Sequence, residues 1–128
     1  MSLGWLTPTT SEAEVRRIVL HEFGHVLGLI HEHQNPNADI PWDADKVYAY
    51  YGGPPNNWSR QQVDEVLLKR YDPALMAVPK PFDPQSIMLF PVARQLTVGG
   101  YEVGVNGELS ELDKQSAAQL YPYAQAAA

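Results

Sequence analysis

The chain has 128 residues, no cysteine and a net charge of −6. That length fits one modest domain with a real core. Disulfides, thiolate metal sites and thiol catalysis are excluded, and no run of Lys and Arg suits a nucleic-acid backbone. Apolar runs are too short to span a membrane, and the N-terminus lacks the basic start and apolar stretch of a signal peptide.

In chain order, Ser11-Glu12-Ala13-Glu14 carries the pattern of a helix start, and an apolar-rich segment follows to about Leu29. At 100° per residue, Val19, Phe23, Val26, Leu27 and Ile30 fall on the side opposite His21. One face is therefore predicted to pack and the other to be left for chemistry. Gln34 to Pro41 reads as a loop. Asp43 caps a short helix to about Tyr51, stopped by Gly52-Gly53-Pro54-Pro55. Ser59 with Gln62 opens another helix to about Tyr71, with Val63, Val66 and Leu67 at helical spacing. Residues 72–95 hold many prolines and read as irregular chain, and Gly99-Gly100 suggests a hairpin between Leu96-Thr97-Val98 and Tyr101-Glu102-Val103. Ser110 with Asp113 starts a last helix that ends at Tyr121-Pro122, and the Ala126-Ala127-Ala128 tail reads as a frayed end.

The chemistry is concentrated in His21-Glu22-Phe23-Gly24-His25-Val26-Leu27-Gly28-Leu29-Ile30-His31. Two histidines four apart on a helix differ by about 40° in direction and about 6 Å along the axis, so both imidazoles reach one ion. Gly28 leaves space and permits a left-handed turn that swings His31 back as a third nitrogen. Three neutral imidazoles on Zn²⁺ leave a fourth position for water, and Glu22, next to the first ligand, is placed to take a proton from it as general base. The bland reading, two surface histidines and a third in a loop, leaves the shared spacing unexplained.

This motif, with Ser86-Ile87-Met88 downstream, resembles the metzincin clan of zinc peptidases, and Glu32 after the third histidine is similar to the astacin-like branch. The resemblance implies an α+β zincin fold over a single metallopeptidase domain, 1–128. The active-site helix region would be 1–31, and 32–128 a C-terminal subdomain with a Met-turn at Met88. It implies zinc on His21, His25 and His31 and a zinc-dependent endopeptidase acting on protein or peptide substrates. It also implies that Met88 passes beneath the metal without ligating it, and that chain just after the turn shapes the pocket for the residue following the cleaved bond. Secretion is suspected from the resemblance alone, and neither nucleic acid nor membrane is expected as a partner.

Three departures stand out. Phe90 occupies a position where astacin-like enzymes carry a tyrosine that touches zinc or the oxyanion. The acid matching Glu32 pairs in that family with the mature amino terminus, so here a different partner is expected. Only twenty residues precede His21, where a twisted sheet is normal. The part present is therefore expected to be mostly α-helical with that sheet largely missing, leaving the Val19–Phe23–Val26 face open to self-association. The alternative function is a catalytically inactive zinc-binding fragment or pseudoenzyme acting as a protein-interaction module.

Outside the motif, His33 reads as a solvated loop histidine. Asp39, Asp43 and Asp45 do not have calcium-loop spacing, and Trp42, Tyr48, Tyr50, Tyr51 and Trp58 read as core and loop packing. One of those tyrosines reaching the cleft to replace the hydroxyl missing at Phe90 is the minor reading.

Overall fold

Four Asp or Ser side chains set the starts of the helices. In the computed structural model, which describes residues 3, 4, 6–76 and 79–122, α1 spans Glu12–Val26, α2 Ala44–Gly52, α3 Arg60–Val63 and α4 Glu111–Leu120. Ser11, Asp43, Ser59 and Ser110 each accept a backbone N–H of the first turn, at Glu14, Lys46, Gln62 and Asp113. Ser59 and Ser110 form the full reciprocal box with the side chains of Gln62 and Asp113. The predicted starts are therefore those observed, and each cap satisfies donors that the helix leaves open. The predicted tail at 126–128 lies outside the described residues.

The ends differ from expectation. α1 stops at Val26, three residues early, because Gly28 (φ +96°) turns left-handed. There Gly28 N–H donates to His25 O and Leu29 N–H to Gly24 O, the paired bonds of a Schellman cap. After Val63 the chain widens into a π-helical stretch, Asp64–Leu68, and goes extended at Lys69, short of the predicted Tyr71. Tyr71 instead donates its N–H to Gln34 O, so a tertiary bond sets its place. The predicted hairpin at Gly99-Gly100 is absent. Those two glycines, both at positive φ, make a short 3₁₀ turn, while Thr97 bridges to Trp42 and Val103 to Val92. These two isolated antiparallel bridges are the β pairing among the described residues, which are otherwise helical or irregular. No helix among them is long and apolar enough to cross a membrane.

Two apolar clusters hold the loops around the helices. Val47, Val63, Leu67 and Leu96 join α2 to α3, with Trp42, Tyr48, Tyr51 and Trp58 packed against them. Tyr51 and Trp58 stack at 5.0 Å, and Tyr48 donates to Asp64 beneath the Arg60 guanidinium. Full burial of side chains of this kind is worth ~1.5–3 kcal/mol each. The second cluster, Ile40, Leu89 and Val92, lies where Phe82, Tyr101 and Val103 meet.

α1 does not pack on the face its apolar periodicity selects. Ile18, His21 and Gly24 are its buried positions, whereas Phe23 is 52% and Val26 57% exposed. The histidine-bearing side is the one turned inward, against the Ser86–Met88 turn. Of the apolar stripe, Phe23, Val26 and Leu27 are open surface, while Val19 and Ile30 are half-buried.

Candidate metal centre

The Schellman turn at Gly28 is what brings the third histidine back to the helix. His21, His25 and His31 converge, with ligand atoms all within 4.8 Å of one another, and the group can hold a metal ion. His25 and His31 present their Nε2 atoms to each other at 3.1 Å. Two ligands at ~2.0–2.1 Å from a tetrahedral zinc stand about 3.3 Å apart, so the spacing fits that ion.

The tautomers fit as well. His21 Nδ1–H donates to Ile87 O (2.8 Å) and His25 Nδ1–H to Leu29 O (3.0 Å). A carbonyl can only accept, so each bond places the ring proton on Nδ1 and leaves Nε2 bare as a ligand atom. Burial pushes His31 down to about 3, with the neighbouring imidazoles His25, His33 and His21 adding to the shift. Burial also lowers His21, against the opposing pull of its bond to Ile87 and of the Glu22 charge. Both effects favour the neutral ligand form.

Met88 packs against the helix that carries the first two histidines. Its side chain is fully buried, and a Cβ added to Gly24 would fall on its sulfur, with Cε 3.1 Å away. The glycine between the two helix histidines therefore gives room for the methionine side chain against α1. The turn carrying Met88 is itself tied down from α4. The buried Asp113 carboxylate accepts from Ser86 Oγ at 2.6 Å and from Ile87 N–H at 2.8 Å. Since Ile87 O receives His21, one carboxylate on α4 fixes the residue whose carbonyl orients a candidate ligand. Asp113 read in the sequence only as a capping residue; nothing local marks its second task.

Glu32, directly after His31, is buried and does have a different partner from the amino terminus. Lys80 Nζ lies 2.8 Å from Oε2, while Oε1 accepts from Asn35 Nδ2 (2.9 Å) and Asp83 N–H (3.0 Å). Its own N–H donates to Met88 O. Ser110 Oγ then links to Asp83 Oδ2 at 2.5 Å, so the segments at 32–35, 80–88 and 110–113 share one polar network.

Glu22 lines a cavity of about 230 Å³ beside His21, together with Phe90 and Pro91. The Phe90 ring lies 4.9 Å from His21 and 4.8 Å from His31, covering both imidazoles. His33 is not solvated as predicted. It is buried, donates Nε2–H to Val66 O at 2.7 Å and stacks on His31 at 5.3 Å. Its reach to the π-helical stretch, thirty-three residues on, has no trace in the local sequence. Trp42, Tyr51 and Trp58 pack in the core as expected, and with Tyr50 they line a further cavity that shares Phe90 and His33 with the centre.

No protein-family model and no curated protein sequence matches the chain. Solved structures do. The structure of myroilysin superposes with a TM-score of 0.89 at 48% identity, covering 94% of this chain and 58% of that one. A crystal structure of myroilysin gives a TM-score of 0.55 at 46% identity, covering 93% of this chain and 52% of that one. The chain thus has the fold of a little over half of myroilysin, with the histidine triad inside the shared region's span.

Proposed function

We propose that the chain is the metal-binding part of a zinc-dependent endopeptidase of the metzincin type, astacin-like in its motif. His21, His25 and His31 would hold the ion, and Glu22 would serve as general base. The observation that carries this reading is the convergence of three imidazoles, two of which have carbonyl-bound Nδ1 atoms that leave Nε2 as the ligand atom, with a carboxylate next in sequence to the first. The likeness to myroilysin supports it at the level of the fold.

Zinc, when bound, supplies a Lewis acid that polarises a carbonyl and acidifies water. The chain's own residues do the rest. Glu22 lines the cavity beside His21; as general base it would accept a proton from the attacking water and return it to the leaving amine, a role worth ~10²–10⁴ in rate. Ile87 O and Leu29 O hold two of the rings in the ligating tautomer. Met88 packs against Gly24 between the two helix histidines, and the Phe90 ring lies against His21 and His31.

A second reading, a zinc-binding interaction module without turnover, is favoured by Phe90, whose ring brings no hydroxyl to the site, and by the exposed Phe23 and Val26. Elemental analysis with cleavage of a denatured protein, for this chain and for Glu22→Ala, separates the two. One zinc per chain in both, with cleavage lost in the variant, supports the peptidase. Zinc bound in both with no cleavage in either supports the module.

A further inference from the structure

Between the bridge at Val103 and the start of α4 the chain is irregular and contains Asn106-Gly107. The asparagine is a further clamp on the turn that carries Met88. Asn106 Nδ2 donates to Pro84 O at 2.9 Å and to Ser86 O at 3.0 Å. Ser86 is fully buried and gives its hydroxyl to Asp113, and the next carbonyl, that of Ile87, accepts from His21. On its other side the loop is tied to α1, where Glu108 accepts two bonds from Arg16 in a pair that is mostly in solvent. One short segment thus joins the helix of two candidate ligands to the turn that orients the first of them.

The same dipeptide carries the chemistry to undo its clamp. A glycine after asparagine has no side chain to screen its nitrogen from the asparagine Cγ. The Gly107 N–H donates to no atom among the described residues, and a Cβ added there would meet nothing within 4 Å. The loop borders an open hollow of about 350 Å³, so base and water reach it. It is held by two neutral bonds and an exposed ion pair, which places it among the parts of a fold that open locally. Once base has taken its proton, the Gly107 nitrogen attacks Asn106 Cγ; ammonia leaves and a cyclic imide forms. Water opens the imide at one carbonyl or the other, leaving aspartate or isoaspartate at 106. Either product has a carboxylate where the amide was. It would face Pro84 O and Ser86 O, both acceptors, so both bonds are lost.

We infer that Asn106-Gly107 is a modification site, deamidated without an enzyme, and that its conversion frees the Ser86–Met88 turn and weakens metal binding by the three histidines. The inference rests on the metal-binding part of the proposed function and not on peptidase activity. Conversion should lower zinc affinity ~10–100-fold, as loss of other residues that orient ligands does. Linkage is reciprocal: what opening of the loop takes from metal affinity, bound metal takes from opening, so zinc should slow the conversion ~10-fold or more.

The test holds the whole chain, metal-free and zinc-loaded, in mildly alkaline buffer. Isoaspartate at 106 is followed by peptide mass mapping, zinc affinity by competitive chelation, and the urea midpoint is read on the same samples. Gly107→Ala fits the open space and a backbone that is not at positive φ, so it should fold as the parent does and keep both its asparagine and its affinity. Asn106→Asp should show the weakened binding at once. Isoaspartate that accumulates with falling affinity in the parent, and not in Gly107→Ala, supports the inference. An asparagine that stays intact overturns it, and so does conversion that leaves zinc affinity unchanged. A fresh chain that binds no zinc would sink the metal-centre reading; conversion that lowers the urea midpoint would then still support the site as the clamp on the turn.

Discussion

Replacing Lys80 by methionine would remove the cation that faces Glu32 while keeping most of the side-chain volume. Both members are almost fully buried: the lysine side chain is 9% exposed and the glutamate 1%. The pair is thus outside the range of surface ion pairs, which are worth ~0–1 kcal/mol. Removing one partner of a buried pair costs about 3–5 kcal/mol, because the other charge is left in a poorly solvating site. Here the carboxylate keeps two donors, Asn35 Nδ2 and the Asp83 N–H, so the loss should fall near the lower figure, ~3 kcal/mol. A domain with a total of ~5–15 kcal/mol would show this plainly as a lowered urea midpoint. The double variant Glu32→Gln/Lys80→Met should recover most of the loss, since an amide oxygen still accepts both donors and carries no charge. Because Glu32 follows His31 and donates its N–H to Met88 O, Lys80→Met should also weaken metal binding, by ~10–100-fold as for other residues that orient ligands. A Lys80→Met chain within ~1 kcal/mol of the parent, or a double variant no better than the single one, would refute the argument.

Other consequences can be measured on the same chain. Gly24→Ala puts a methyl group onto the Met88 sulfur and should cost ~1–3 kcal/mol in urea unfolding; adding Met88→Ala should relieve the clash, and a neutral Gly24→Ala would show that Met88 does not sit under the helix. Asp113→Ala removes the acceptor shared by Ser86 Oγ and Ile87 N–H, each such bond to a charge being worth ~1.5–3 kcal/mol, and should loosen the turn that orients His21; metal affinity by competitive chelation should fall together with the unfolding midpoint. For the metal-free chain, stability should decline with acidity. His31 is held near 3 when folded, against an ordinary value near 6.5, and His21 and His33 are lowered too, burial being the leading cause in each. The unfolded chain therefore takes up protons that the folded one refuses. Stability should be level above about pH 6.5 and fall progressively from there towards pH 3. A urea midpoint unchanged between pH 7.5 and 4.5 would contradict the burial of these rings.

What can be read in the sequence, and what cannot, divides by distance along the chain. A cap is a bond between residues three apart, so Ser11, Asp43, Ser59 and Ser110 are legible from a few neighbouring residues. The convergence of His21 and His25 follows from helix geometry, and that of His31 from a glycine whose left-handed turn needs no distant partner. The features that escape are those decided by remote segments. Which side of α1 is buried is decided by Met88 rising against Gly24 from sixty-four residues away, so the apolar periodicity of Val19, Phe23 and Val26 points to the wrong side for this chain. The partner of Glu32 is a lysine forty-eight positions on, in proline-rich chain with no periodicity to place it. His33 is buried by a carbonyl that a π-helical widening turns towards it, and Thr97 and Val103 pair with segments other than the near one their glycine turn suggests. The same division explains how the site can be legible while its support is not. Ligands for one small ion can come from one eleven-residue segment, but holding them in the ligating orientation takes a carbonyl from the Ser86–Met88 turn and a carboxylate from α4. A histidine motif in isolation therefore predicts where a metal can go, and the buried network of Glu32, Lys80, Asp83, Ser86 and Asp113 determines how firmly that geometry is kept.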